Sequence, residues 1–320
     1  MILDRRTLLA SLGTGLLGGC AGPFGMAALD PDPDREGGIG GTGIVGTLTD
    51  YGSLIVNGLR VEIDRDTRIS DTRGTVREDS LRIGQLLTVK ARPVDGVLRA
   101  RSVQITYPVT GIATGVSPDG RRAHVSGIRV YLEPTGLGGF EEGAAVVVSG
   151  IWDGPRVVAS RVDRVRAMDG AILSGAVHLG EDGAYRLGDV PLDGLTAGDV
   201  EPGGFARVAG RYRGDRLAVD GVVPGRFLGD ADPLVALSVE GYLDAVPQAP
   251  FYRVSGLGHS FDEEARLRPF AAHRTLFTGA YTGTFAVQRG LVLPEAFKAR
   301  RAVMRQVLRA DPRAVGRSAR

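Results

Sequence analysis

The chain has one cysteine, and its neighbours suggest a chemistry for it. Cys20 ends the run Leu17-Gly18-Gly19-Cys20, which is typical of a bacterial lipobox, where small residues let the peptidase reach the bond before an acylated cysteine. With no second cysteine, an intramolecular disulfide is impossible. We therefore predict a diacylglyceryl thioether at Cys20. The alternative is a chance cysteine in an ordinary secretory signal that is cleaved near Met26-Ala27-Ala28.

The residues before Cys20 read as an export signal and are left out of the fold. Arg5-Arg6 followed by Thr7-Leu8-Leu9 resembles a twin-arginine motif, and the general secretory route is the alternative. The apolar run over residues 8–17 is too short to cross a bilayer, which takes about 20 apolar residues. Because Ala21 is not the aspartate that retains many lipoproteins at the inner membrane, we expect a lipid anchor in the outer membrane, on the periplasmic face of the envelope.

Residues 21–41 combine glycines with alternating aspartates and prolines between Asp30 and Asp34. Aspartates at this spacing suggest a calcium loop, but the prolines between them and the missing distal glutamate break the ligand pattern. We interpret this stretch as a flexible tether.

No residue set has the spacing of a catalytic or metal site. The four histidines lie far apart in the chain: His124, His178, His259 and His273. They form no HxH or HExxH pattern. His259-Ser260 with Asp262 nearby invites a hydrolase interpretation, yet no G-x-S-x-G elbow is present, and adjacent strand residues point to opposite faces. We expect no catalytic residue, no metal and no cofactor.

Charge is distributed unevenly. Residues 294–320 hold eight Lys or Arg against two acidic residues, a net charge of +6. Residues 1–20 carry +1, so residues 21–293 carry −5 within the whole chain's +2. Because binding a polyphosphate requires a concentrated cationic face, we expect no nucleic-acid partner.

The same order of sequence features occurs about four times, which indicates an array of copies. Their anchors are 68, 64 and 66 residues apart: Thr42-Gly43, Thr110-Gly111, Ser174-Gly175 and Glu240-Gly241. This period exceeds the roughly 20 to 50 residues of solenoids and suits small domains that are marginally stable alone. We therefore expect adjacent copies to pack on one another.

Copy one predicts five strands joined by tight turns. Asn57-Gly58 marks a type I′ hairpin, because both positions tolerate positive φ. Apolar and polar residues alternate over 59–64, the period of a sheet with one buried face. Asp95-Gly96 joins the last two strands, residues 85–91 and 97–105.

The other copies keep this order. Each fifth strand contains an alanine, expected where a bent strand leaves little room: Ala100, Ala159, Ala218 and Ala286. Five short antiparallel strands, with an irregular segment between the third and fourth, predict an all-β chain of tandem five-stranded OB-like β-barrels. The predicted copies are 42–108, 109–168, 169–232 and 233–293, followed by a short C-terminal helix in 294–320.

Three segments of copy one carry a recognisable pattern: the hairpin Val56–Val61, the strand Gly84–Val89 and the closing strand Ala100–Val103. In these segments the chain resembles the bacterial domain of unknown function 5666. Copy two matches fairly through Gly127 and Gly143, and copies three and four match more loosely. The resemblance implies a secreted or envelope-attached small-barrel module with no established reaction.

The segment from Pro294 to Ala310 predicts an amphipathic helix. Its apolar side contains Phe297, Val303, Met304, Val307 and Leu308, and its basic stripe contains Lys298, Arg301, Arg305 and Arg309. One interpretation docks the apolar side on the fourth barrel and leaves the arginines in solvent. The other lays the helix against anionic lipid or a partner.

These features favour a lipid-anchored envelope protein whose barrels form a non-enzymatic array that binds or scaffolds an envelope protein or a cell-wall glycan. The alternative is an envelope enzyme or assembly factor with its site at a junction between copies. Polar residues of two copies meeting in a deep cleft would favour the enzyme, and shallow faces would favour binding. Aromatic residues such as Trp152 are expected to serve packing before ligand stacking.

Overall fold

The computed structural model describes residues 26–28, 40–227, 233–245, 252–254, 268–283 and 285–310. In this part of the chain, strands predominate and one α-helix, α1 (Phe297–Ala310), follows the last strand. The predicted fold class, small OB-like β-barrels with a short C-terminal helix, is confirmed.

Copy one forms a closed barrel. Its strands are β2 (Gly41–Asp50), β3 (Leu54–Val56), β4 (Leu59–Glu62), β5 (Arg68–Asp71), β6 (Gly74–Thr75), β7 (Leu86–Val94) and β8 (Val97–Thr106), with β1 (Met26–Ala28) before them. β2 pairs with β3 and β7, β7 pairs with β8, and β4 runs parallel to β8. Together with the β3–β4 hairpin, these pairs close the barrel in the order β2, β3, β4, β8, β7. The five main strands of the copy are thus arranged first, second, third, fifth and fourth. β5 and β6 lie in the segment for which the sequence predicted no strand.

Copies two and three repeat this pairing. Copy two has β9 (Val109–Thr114), β10 (Arg122–Val125), β11 (Ile128–Leu137), β12 (Ala145–Asp153) and β13 (Arg156–Arg164). Copy three has β14 (Ala171–Ala176), β15 (His178–Leu179), β16 (Tyr185–Leu187), β17 (Val190–Asp193), β18 (Phe205–Arg213) and β19 (Arg216–Pro224). In copy three β15 continues the first strand β14 and pairs with β16, which closes the barrel.

Copy four is described in part. Its strands are β20 (Leu234–Gly241), β21 (Leu243–Ala245), β22 (Tyr252–Val254), β23 (Thr275–Tyr281) and β24 (Phe285–Val292). β21 continues β20 and pairs with β22, as the first and second strands do elsewhere. The Ser255-Gly256 pair, which takes the place of Asn57-Gly58 in the order of the repeat, lies outside the described residues. β1 pairs antiparallel with β24.

The Asn57-Gly58 turn both forms the predicted hairpin and fixes it to the barrel. Its φ angles are 56° and 72°, the positive values that a type I′ turn needs. The Asn57 Nδ2 amide donates to the Val45 carbonyl oxygen at 3.0 Å. In copy two, Ser126 takes the same place, and its Oγ donates to the Thr110 carbonyl oxygen at 3.0 Å.

These contacts correct the repeat alignment of copy one. Since Asn57 binds Val45 as Ser126 binds Thr110, Val45-Gly46 and not Thr42-Gly43 corresponds to the later anchors. The four anchor glycines are then 65, 64 and 66 residues apart. Glycine is required at the first of them, because a Cβ added to Gly46 would lie 1.9 Å from Asn57 Oδ1.

The fifth strand of every copy has a β-bulge. The bulged residues are Arg101, Ser160, Asp220 and Gln288. Aligned on the bulge, Ala100 and Ala159 are equivalent, and both are buried. Ala218 and Ala286 lie one position earlier, and Ala286 is exposed. The expectation of one shared alanine position is therefore wrong for copies three and four.

The copies join in two pairs. β9 pairs antiparallel with β14, and copies two and three share one apolar core. β2 pairs parallel with β20, which joins copy one to copy four. Strand pairing between adjacent copies is thus found for two and three, whereas the strand partner of copy four is copy one. Copies one and two also pack on one another, and Ser160 Oγ donates to the Gly84 carbonyl oxygen at 2.6 Å.

Candidate functional site at the junction of the copies

Four charged side chains meet where copies one, two and four adjoin. Arg274 donates from Nη1 to Glu133 Oε2 at 2.6 Å and from Nε to Glu240 Oε1 at 2.8 Å. Arg300 Nη2 lies 2.5 Å from Glu133 Oε1, and its Nε lies 3.0 Å from Glu240 Oε1. No more than 1% of any of these side chains is exposed. Two carboxylates and two guanidinium groups thus form a closed ring of opposite charges, which we call the ion ring.

Each member of the ion ring comes from a different element. Glu133 lies in β11, Glu240 in β20, Arg274 directly before β23, and Arg300 in α1. Copy one contributes Thr47 of β2, whose backbone N–H donates to Glu240 Oε2 at 2.8 Å. The ion ring therefore connects three copies and the C-terminal helix.

The two buried carboxylates of the ion ring behave differently: burial raises the pKa of Glu133 above its usual value despite Arg274 and Arg300, whereas Glu240 stays charged. Burial alone would raise the pKa of Glu240, but Arg274, Arg300 and the hydrogen bonds from Thr47 hold that pKa at about 2. Burial would lower the pKa of Arg274, and the two glutamates raise it instead. The shifts of Glu240 and Arg274 both favour the charged forms, so this pair suits a structural tie better than proton transfer, which needs a pKa near the working pH.

The junction leaves little free space. The cavity there is about 10 Å³, and its lining includes Val45, Trp152, Ser174 and Glu240, one residue from each copy. That volume is close to what a single water requires. Two larger depressions, of about 410 and 500 Å³, each lie within one copy, over residues 119–164 and 51–82. Among the described residues, polar groups of several copies converge in a close contact and not in a cleft.

The predicted basic stripe of α1 is divided between copy one and solvent. Arg305 Nη2 lies 2.6 Å from Asp50 Oδ2. Arg301 donates from Nε to the Thr49 carbonyl oxygen at 2.6 Å, and its Nη2 lies 3.6 Å from Asp50 Oδ1. The other two members, Lys298 and Arg309, have exposed side chains.

The apolar side of α1 docks on more than the fourth barrel. Met304 is buried against Leu276 and Leu293 of copy four. Val307 covers Gly58 of copy one, where an added Cβ would lie 2.6 Å from it. The apolar side of the helix therefore docks on a barrel, as one of the two interpretations predicted. It contacts copy one as well as copy four.

Three predicted site residues, Arg5, Arg6 and Cys20, lie outside the described residues, as does the His259 group. Lipidation and export therefore stay predictions. In the described part of the chain, no helix has the length and apolar character to span a membrane. The same part contains no cluster of three His, Cys, Asp or Glu residues suited to a metal ion.

The closed order of strands defines copy one as an OB-like barrel. Residues 42–104, which form it, match the family model described as Domain of unknown function (DUF5666). The resemblance is thereby confirmed for copy one. Comparisons of the chain with curated proteins and with solved structures gave no match.

Sequence reasoning did not identify the ion ring. One signal was available, since copy four has Glu240 at a buried strand position where the others have Val45, Thr110 and Ser174. A second was Arg300, which lies on the apolar side of the helix. The remaining two members gave no comparable signal.

Proposed function

We propose that this protein is a lipid-anchored protein of the cell envelope whose linked barrels act as a non-enzymatic scaffold that binds other envelope proteins. The observation that carries the proposal is the ion ring of Glu133, Glu240, Arg274 and Arg300. Barrels that each bound a ligand independently would need no buried tie. A tie that joins three copies and a helix suits a unit that holds several binding faces in fixed relative positions.

The shape of the surface supports binding over catalysis. The depressions of copies one and two are open, and each belongs to a single copy. Ligand pockets for small molecules usually bury most of the ligand. Open faces on neighbouring barrels suit contact with a macromolecule instead.

The lipid anchor of the proposal rests on Cys20, and β1 indicates where the anchor would lie. Met26 of β1 follows Cys20 by six residues and pairs with β24 of copy four. An extended chain spans at most about 3.6 Å per residue, so Cys20 would lie within about 22 Å of Met26. Copy four would then be nearest the membrane.

The anchor is tested by fractionating cells that express the wild type or Cys20→Ser with radioactive palmitate. We expect the wild type to be labelled and membrane-bound, and the variant to be unlabelled and released. Membrane association without label in both proteins would contradict the anchor.

The scaffold is tested by in-cell photocrosslinking from exposed positions in two copies, such as Tyr51 and Asp119, followed by mass spectrometry. We expect both positions to crosslink to envelope proteins. If neither position crosslinks to an envelope protein although the protein is folded and exported, the scaffold proposal is contradicted.

A further inference from the structure

The fifth strand of each copy has an edge that is equivalent in all four copies. The β-bulge in that strand serves as the reference for aligning the copies. The three residues that follow the bulge are 102–104 in copy one, 161–163 in copy two, 221–223 in copy three and 289–291 in copy four. One side of each fifth strand pairs with the fourth strand of its own copy. The other side of these three residues is the equivalent edge.

In copies one and four a three-residue ladder covers this edge. β5 lies parallel to residues 102–104, and β1 lies antiparallel to residues 289–291. In copy two, Leu137 at the end of β11 pairs with Arg161. The covering segments come from unrelated parts of the chain and run in both directions, so the edge accepts short extended segments of either polarity.

In copy three the same edge has no partner strand among the described residues. β17 pairs with Leu217 and Ala218 and extends no further along β19. Gly221 is exposed, and Val223 is 40% exposed. By contrast Val103, the counterpart of Val222 in copy one, is fully buried.

The hydrogen bonds of β19 show which backbone groups face the open side. The Gly225 N–H donates to the Phe205 carbonyl oxygen of β18 at 2.7 Å. Alternate residues of an antiparallel strand direct their N–H and C=O to opposite neighbours. The N–H and C=O of Val222 therefore point away from β18, and so does the C=O of Pro224. Pro224 removes no ladder bond, because its nitrogen also lies on the open side.

We propose that residues 221–223 form a docking site for an extended segment of a partner protein, which adds to β19 as a further strand. This inference rests on the proposed scaffold function and names one of its binding surfaces. In copies one and four, the strands that cover the equivalent edge are four and three residues long and belong to a loop and a terminal segment, not to a second barrel. Ile69 at the centre of β5 is buried opposite Val103, so the partner segment carries an apolar residue opposite Val222.

The test uses a fluorescein-labelled peptide of residues 65–73, which contains β5, titrated with the full chain and followed by fluorescence anisotropy. We expect saturable binding by the wild type. Val222→Pro removes the one donor on the open side and no bond to β18, and we expect binding to weaken about tenfold or more. Val223→Ala keeps all backbone donors and is expected to bind within about twofold of the wild type.

Two measurements keep the test valid if Val222→Pro disturbs the fold. Thermal melting shows whether the variant is folded, and peptides N-methylated at Ile69 or at Ser70 probe the wild type directly. One of these methyl groups blocks a bond to β19 and the other points away, so one peptide is expected to lose binding. The docking site would be overturned if both N-methylated peptides still bound the wild type. It would also be overturned if Val222→Pro were folded and still bound the unmodified peptide.

Self-association is the competing occupant. If sedimentation showed a dimer of the wild type that Val222→Pro abolishes, the edge would pair with a second copy and the proposal would be wrong. In-cell crosslinking separates this proposal from the scaffold. Identical partners for the wild type and Val222→Pro would overturn the docking site alone, whereas no partner for the wild type would contradict the scaffold.

Discussion

Strand pairing between copies occurs at two joints in the described part of the chain, and these joints differ in chemistry. Copies two and three share an apolar core beneath the β9–β14 pair, where Trp152 donates from Nε1 to the Ser174 carbonyl oxygen at 2.8 Å. Copies one and four meet at the β2–β20 pair, beside the ion ring. Removing one contact from an apolar joint lowers the free energy of unfolding by roughly what that contact contributes. Loss of one charge from the ion ring leaves one net charge of the opposite sign buried without compensation.

The largest effect is expected from Arg274→Met, which removes a guanidinium group that touches both glutamates. The variant should lose about 3–5 kcal/mol of unfolding free energy, measured by urea denaturation, because two buried carboxylates lose a partner. The matched control is Arg268→Met, which removes an exposed arginine six residues earlier in the same copy. A loss below about 1 kcal/mol for Arg274→Met would mean that the ion ring contributes no more than a surface pair.

Acid is expected to weaken the ionic joint before the apolar one. The pKa of Glu240 is about 2 in the folded protein, against 4.5 as its reference value. A lowered pKa stabilises the fold above the unfolded value, and this contribution is lost as pH falls from about 4.5 toward 2. The loss is about 3 kcal/mol at full protonation.

Hydrogen exchange at stepped pH measures this difference. Amides of β2 and β20 should lose protection below about pH 4 while those of β9 and β14 keep it. Glu240→Gln carries no titrating group at this position and should flatten the acid dependence of the β2–β20 pair. Simultaneous loss of protection at both joints would show that the two are not separable.

A smaller effect is expected at the apolar joint from Trp152→Phe. The substitution keeps an aromatic ring in the core but leaves the Ser174 carbonyl oxygen without its donor. We expect a loss of about 1–2 kcal/mol, seen as a lower melting temperature. Tyr131→Phe in the same copy, at a partly exposed position, is the control and should change little. An unchanged melting temperature for Trp152→Phe would mean that packing alone holds this joint.

The local parts of the fold follow from sequence, because their rules act over few residues. Asn57-Gly58 and Asp95-Gly96 both have positive φ in tight turns, as predicted from residue type alone. The alanine alignment was wrong because alanine occurs one residue before the bulge in copies one and two and two residues before it in copies three and four. Several residue types satisfy a bulge, so the sequence does not mark its position. The anchor of copy one was wrong for a similar reason, since Thr42-Gly43 imitates the pattern that Val45-Gly46 fulfils in space.

The ion ring could not be predicted in the same way. Arg274 and Glu133 are 141 residues apart, and Arg300 and Glu133 are 167 apart. No periodicity links positions so distant, and an arginine has the same sequence signature whether it ends in solvent or in a buried pair. Thus Arg301 and Arg305 were assigned to the basic stripe from helix geometry, while Arg300 beside them was overlooked.

The smallest effect is expected where α1 meets copy one at its surface. Arg305 and Asp50 form a close pair, but their side chains are 52% and 31% exposed, so water and salt screen the attraction. Arg305→Ala should cost at most about 1 kcal/mol, and the cost should shrink at high salt. A double-mutant cycle with Asp50→Ala isolates the pair. Hydrogen exchange of α1 should barely change, because Arg300 in the ion ring and buried Met304 still hold the helix. If Arg305→Ala alone released α1, the surface pair and not the ion ring would be what attaches the helix to the barrels.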